Sequence, residues 1–86
     1  MKNIYEKAIK FYGKIAQIIV AIEELGELIQ ALTKYLRGFD NAENIAEEIA
    51  DVEIMLEQLK IIYNNESIVG EYKAAKLQRL EGRISE

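Results

Sequence analysis

The chain has 86 residues, a formal net charge of -4 and a hydrophobic content of 50%. That length allows one domain, residues 1–86, with a thin core of its own. A hydrophobic content this high is more than a three-helix monomer can bury, so we expect a homo-oligomer whose subunits share one core. The absence of His and Cys from the sequence excludes disulfides, zinc sites and nucleophile–histidine catalysis. The acidic balance argues against a nucleic-acid partner.

The first predicted helical stretch runs from about residue 3 to residue 36, with a bend or break near Gly13. Apolar side chains recur at helical spacing between Ile15 and Leu36. Arg37 and Gly38 suit the end of this helix, because a cation favours the negative helix terminus and glycine favours the position after it.

Two further helices are predicted, one from residue 41 or 42 to about 63 and a more basic one over about 68–84, with Ser67 as its cap. We expect the inner positions of the middle helix to be Ile45, Ile49, Val52, Met55, Leu56, Leu59 and Ile62. Short connections favour antiparallel neighbours. The fold class is therefore all-α: a small antiparallel bundle of three to four helices that completes its core by homo-oligomerisation.

The longest strongly apolar stretch, Ile15 to Ile22, is too short to cross a bilayer. Lys7, Lys10 and Lys14 interrupt any segment that resembles a signal peptide. We therefore expect a soluble cytoplasmic protein without a membrane partner.

Acidic side chains interrupt the two most hydrophobic helices at the same spacing. Glu24 and Glu27 lie three residues apart on the first helix, and Glu48 and Asp51 lie three apart on the second. Residues at this spacing share one helix face, so antiparallel pairing brings both acidic pairs to one seam. Clustered carboxylates in partly apolar surroundings repel one another unless they are protonated or bind a divalent cation.

Oxygen ligands alone point to Mg²⁺, Mn²⁺ or Ca²⁺. Mg²⁺ is expected, with Mn²⁺ in its place, because it binds carboxylates together with waters and phosphate oxygens. An open Mg²⁺ site suits phosphoryl chemistry, since the ion polarises a phosphate and helps to activate a water. The alternative is a solvated acidic stripe whose charges are offset by basic neighbours on the same helix.

The residues Glu23-Glu24-Leu25-Gly26-Glu27, a gap of twenty residues, and Glu48-Ile49-Ala50-Asp51 resemble the E-E-x-x-E and E-x-x-D signature of the MazG-like, all-α nucleoside triphosphate pyrophosphohydrolases. The resemblance covers about residues 18–60. It implies Mg²⁺-dependent cleavage of an NTP or dNTP to the monophosphate and pyrophosphate by a dimer or tetramer.

Carried onto this chain, the resemblance implies that Glu24, Glu27, Glu48 and Asp51 are the metal ligands. It implies that Glu23 orients or deprotonates the attacking water. In the last helix, where the resemblance is weaker, Lys73 and Lys76 match the family's basic K-x-x-K segment, which contacts the substrate phosphates. Arg79 is a further candidate for a polar contact to the phosphates.

Leu77 departs from the family pattern, because relatives often carry Asn directly after the second of these lysines. The sequence identifies no base-binding pocket: Phe11, Tyr12, Tyr63 and Tyr72 can stack on a base, but aromatic residues at helical spacing more often belong to a core. The alternative function is a non-catalytic helical module that oligomerises or binds a partner helix.

Overall fold

A computed structural model of the chain describes residues 2–85, which form four helices: α1 (Lys2–Tyr12), α2 (Lys14–Leu36), α3 (Ala42–Ile62) and α4 (Glu66–Ile84). The prediction of an all-α fold is confirmed. None of these four helices combines the length and hydropathy that crossing a membrane would require.

Two glycines in the left-handed region separate the first elements. Gly13 has φ 96 and divides the first predicted stretch into α1 and α2, as expected. Gly38 has φ 97 and follows the end of α2. A side chain at either position would be strained, so the sequence places glycine where the helix direction changes.

The start of α4 differs from the prediction. Asn64 takes a positive φ of 51 just after α3, and the chain re-enters a helix at Glu66 with Asn65 as the N-cap residue. Ser67 therefore lies inside the first turn of α4, and the prediction that it caps the helix is wrong. Asn tolerates the left-handed region better than most residues, which allows this tight reversal.

The fold is built around the antiparallel pair α2 and α3, which make the most extensive contact of any two helices. Helix α1 contacts both, whereas α4 makes substantial contact with α3 alone. Among residues 2–85, four apolar residues are buried: Ala21, Ala31, Val52 and Met55. Among the expected inner positions of α3, Ile49 and Leu56 are more than two-fifths exposed, so their predicted burial is wrong for the single chain.

The single chain is more open than a closed domain of its size. Its radius of gyration is 15.8 Å, against about 12 Å for a compact domain of this length. Its accessible surface is 7018 Å², against about 5,200 Å² for a folded monomer of this mass. Helix α4 contains no buried residue, which accounts for part of the difference.

The outer face of α2 carries a regular apolar stripe. Ile15, Ile22, Ile29 and Leu36 follow one another at seven-residue intervals and are between 62% and 82% exposed. We call these four residues the α2 stripe. Its seven-residue spacing is that of a helix seam that packs against another helix.

Candidate metal centre

Small side chains bring α2 and α3 close together on both sides of the acidic pairs. Ala21 and Ala31 are 2% and 1% exposed and flank Glu24 and Glu27 along α2. Alanine lets two helix backbones approach because it projects only a methyl group. Carboxylates on the facing positions of α2 and α3 therefore reach one another across a short gap.

Three of the four predicted ligands form a cluster, which we call the acid cluster: Glu24, Glu27 and Glu48. One carboxylate oxygen from each lies within 4.8 Å of the others. Glu24 and Glu48 are half-buried, whereas Glu27 is exposed. The acid cluster is thus enclosed by the helices on one side and open to solvent on the other. A cation bound there could also bind a ligand from solvent, such as a phosphate.

Burial raises the pKa of the Glu24 carboxyl above its ordinary value of 4.5. The nearby charges of Asp51, Glu27 and Glu48 raise this pKa further, as does a hydrogen bond with the Glu27 carboxyl. A hydrogen bond between two carboxyl groups needs a proton on one of them. Without a cation, Glu24 therefore keeps its proton to a higher pH than an isolated glutamate does.

Burial also raises the pKa of Glu48, and the charges of Glu27, Asp51 and Glu47 add to the shift. A hydrogen bond from the Asn44 side chain acts in the opposite direction. The Oε1 atom of Glu48 is buried and has no hydrogen-bond partner among the described residues. A buried oxygen without a partner is costly, and a bound cation would satisfy it.

Asp51 and Glu23 lie outside the acid cluster. Asp51 is half-buried on α3, and it is close enough for its charge to raise the pKa of both Glu24 and Glu48. All four predicted ligands therefore interact electrostatically across the seam between α2 and α3, although only three of them form the acid cluster. Glu23, the predicted water-activating residue, is exposed on α2 beside Glu24.

The predicted phosphate-binding residues Lys73, Lys76 and Arg79 are exposed on α4. Lys73 lines a groove between α3 and α4 with Glu53, Glu57 and other residues, but none of the four carboxylates lines this groove. Glu53 lies five residues after Glu48, which places it on the side of α3 that faces away from the acid cluster. Within one chain, Lys73 is therefore directed to a different surface.

The four aromatic residues considered for base stacking, Phe11, Tyr12, Tyr63 and Tyr72, are all exposed in the single chain. Phe11 and Tyr12 pack edge to face with their ring centroids 4.8 Å apart. Neither ring belongs to the buried core.

Three polar residues join α2 to α3, and none of them was predicted as a contact between the two helices: Gln17, Asn41 and Gln58. Gln17 donates a buried hydrogen bond of 2.7 Å from Nε2 to Oε1 of Gln58. Asn41 donates from Nδ2 to the Ala31 carbonyl oxygen at 2.9 Å, which joins the start of α3 to α2. The signal available in the sequence was that Gln17 interrupts the apolar stretch from Ile15 to Ile22.

No family of known proteins, no curated protein and no solved structure matches the chain. Carboxylate oxygens alone form the acid cluster, and such donors suit Mg²⁺, Ca²⁺ or Mn²⁺ rather than softer metals.

Proposed function

We propose that this chain is a Mg²⁺-dependent nucleotide pyrophosphohydrolase, similar to the MazG-like enzymes, which converts an NTP or dNTP to the monophosphate and pyrophosphate. The observation that carries the proposal is the acid cluster, whose three carboxylate oxygens lie within 4.8 Å of one another while Glu48 Oε1 is buried and unpaired. A divalent cation removes both the repulsion and the unsatisfied oxygen.

In this proposal Glu24, Glu27, Glu48 and Asp51 hold the cation. Glu24 and Glu48 bind it as deprotonated carboxylates, so their raised pKa values should weaken cation binding as the pH falls. The exposed position of Glu27 leaves space for phosphate oxygens on the solvent side. When bound, Mg²⁺ neutralises the phosphates and helps to activate a water. Exposed Glu23 would accept a proton from that water.

The proposal is tested by measuring pyrophosphate release from a panel of NTPs and dNTPs in the presence of Mg²⁺. We expect at least one nucleotide to yield pyrophosphate and its monophosphate in equal amounts. Release of single phosphate would show cleavage at another bond. Absence of pyrophosphate from every nucleotide of the panel would contradict the proposal.

Matched variants locate the activity. Glu48→Gln keeps the size of the side chain but removes a proposed ligand, so its turnover should fall at least a hundredfold. Glu53→Gln makes the same change on the opposite side of α3 and should leave turnover within about twofold of the natural chain. Equal turnover in the two variants would dissociate the activity from the acid cluster.

We also propose that the chain functions as a homo-oligomer. Its accessible surface exceeds that of a folded monomer of the same mass by about 1,800 Å², and a standard interface buries about 800 Å² of each partner. The exposed α2 stripe supplies a regular helix-packing seam. Light scattering should give a mass at least twice 9.9 kDa, and Ile22→Lys/Ile29→Lys should reduce it. A monomeric natural chain would contradict this proposal.

The second candidate is a non-catalytic helical module, which the exposed apolar residues of α4 favour. Ile68, Tyr72, Leu80 and Ile84 are all more than two-fifths exposed and recur at helical spacing. A helix with this pattern packs against another helix. Oligomerisation without cation binding and without nucleotide cleavage would select this function over the enzyme.

A further inference from the structure

A pair of glutamines forms a polar contact inside the apolar seam between α2 and α3. Gln17 and Gln58 are 6% and 4% exposed, and their side-chain amides share the 2.7 Å hydrogen bond. The remaining Gln58 contact within the core is from Nε2 to the Met55 sulfur at 3.7 Å. Each amide therefore depends on the other for its strong buried hydrogen bond.

This pair stands in a fixed relation to the carboxylates. Seven residues after Gln17 on α2 is Glu24, and seven residues before Gln58 on α3 is Asp51. In antiparallel helices, equal steps away from the paired glutamines lead to another pair of facing positions. A step of seven residues covers about 10.5 Å along the helix axis. The register in which the two glutamines meet is thus also the register in which the acidic pairs face each other.

Apolar contacts alone specify this register weakly. The buried apolar side chains are two alanines, Val52 and Met55, which are small or, in the case of methionine, flexible. Helix α2 also carries apolar residues on its outer face, including Ile15 and Ile22. A shift by one helical turn would retain apolar contacts but would leave both buried amides unpaired, which is strongly unfavourable. A single buried polar residue fixes helix register in coiled coils for this reason.

We propose that the hydrogen bond between Gln17 and Gln58 sets the register of α2 against α3. The two glutamines are then positioning residues, because this register holds the acidic side chains at one site. Neither glutamine acts on a substrate. The consequence for cation binding rests on the proposed function, whereas the consequence for helix register does not.

The first test measures the register directly. Because the chain has no Cys, spin labels can be attached to cysteines introduced at exposed Lys14 on α2 and Glu43 on α3. These positions are offset by roughly 27 Å along the helix axes. Labelled chains are diluted with unlabelled ones so that only distances within a chain are measured.

In the background with natural glutamines we expect one narrow distance distribution. Gln17→Met/Gln58→Met keeps the unbranched shape but removes the hydrogen bond, and it should add a population displaced by about 5.4 Å, one helical turn. Gln30→Met/Gln78→Met makes the same chemical change at exposed positions and should leave the distribution unchanged. If Gln17→Met/Gln58→Met loses the circular dichroism signal of a folded helical chain, the same measurement is made on Gln17→Leu/Gln58→Leu. An unchanged distribution in a folded variant overturns the proposal.

The second test measures Mn²⁺ affinity from the electron paramagnetic resonance signal of the free ion. We expect the Gln17→Met/Gln58→Met variant to bind at least tenfold more weakly, while its apo Tm is unchanged or higher. A displaced register with unchanged Mn²⁺ affinity overturns the positioning role. No binding by the natural chain contradicts the proposed function instead, and the distance measurement still decides the role of the glutamines.

Discussion

Replacing Glu48 by Gln is the most informative change at the acid cluster. The substitution keeps the shape of the side chain, replaces one acceptor oxygen by an NH₂ donor and removes one negative charge. It affects the carboxylate with the buried, unpaired Oε1, which lies within 4.8 Å of the oxygens of Glu24 and Glu27. The natural chain should therefore gain stability from a divalent cation, and the variant should lose that gain.

The size of the gain follows from the openness of the site. A cation held by three or four carboxylates and exposed to solvent on one side should bind with a Kd of about 0.1–1 mM, as weak carboxylate sites do. At about 10 mM Mg²⁺, binding then stabilises the folded chain by about 1.4–2.7 kcal/mol. For a domain of this size, this corresponds to a rise in Tm of about 6–20 °C.

The assay is thermal unfolding followed by circular dichroism at pH 7, with NaCl of matched ionic strength as the salt control. Mg²⁺ should raise the Tm of Glu48→Gln no more than the NaCl control does. The cation-free Tm of this variant should equal or exceed that of the natural chain, because like-charge repulsion is relieved. Glu53→Gln should respond like the natural chain. Retention of the Mg²⁺ shift by Glu48→Gln, or its equal loss in Glu53→Gln, would refute the assignment.

Three further predictions concern pH and the glycines. Because the folded pKa values of Glu24 and Glu48 are raised, their contribution to cation-free stability is present below about pH 4.5 and is lost as the pH rises through the folded pKa values. The Tm of Glu48→Gln should thus equal that of the natural chain near pH 4 and exceed it at pH 7; a constant difference would contradict the raised pKa. Gly26 and Gly70 are helical, and a Cβ added at either would meet no neighbouring atom within 4 Å. Gly26→Ala and Gly70→Ala should therefore each stabilise the chain by up to about 1 kcal/mol, as measured by urea unfolding. Gly13 has φ 96, so Gly13→Ala should instead destabilise the chain by about 1–3 kcal/mol, and an increase in stability would show that α1 and α2 can join into one helix.

The helices were predictable because their signals are local. Apolar periodicity located α2 and α3, and the left-handed preference of Gly13 and Gly38 located the breaks on either side of α2. The start of α4 was missed by about two residues, because the conformation of Asn64 ends α3 and returns the chain to a helix sooner than the capping preference of Ser67 suggested.

Burial was less predictable than helix position. Ile49 and Leu56 have the spacing of inner residues, yet both are more than two-fifths exposed in the single chain. Helical periodicity identifies apolar faces but not which face meets which neighbour. The α2 stripe shows the same ambiguity, since its four residues are apolar and regularly spaced but do not face α3.

The carboxylate pairs were predictable because acidic residues at three-residue spacing are conspicuous within apolar helices. Their convergence in the acid cluster requires the two helices to pair in one register. The Gln17–Gln58 hydrogen bond and the Asn41 hydrogen bond to the Ala31 carbonyl both join the helices in that register. The sequence marks Gln17 only as a break in an apolar stretch. The burial of the two amides and their pairing across 41 positions are properties of the fold.

The most direct test of the proposed metal centre is a crystal structure of the chain grown with Mn²⁺ and a non-hydrolysable nucleotide, with anomalous scattering recorded to locate the metal. The predicted result is an anomalous peak in contact with carboxylate oxygens of Glu24, Glu27 and Glu48, with phosphate oxygens on its solvent side. Well-ordered carboxylates with no peak between them, or a peak bound only elsewhere on the chain, would contradict it.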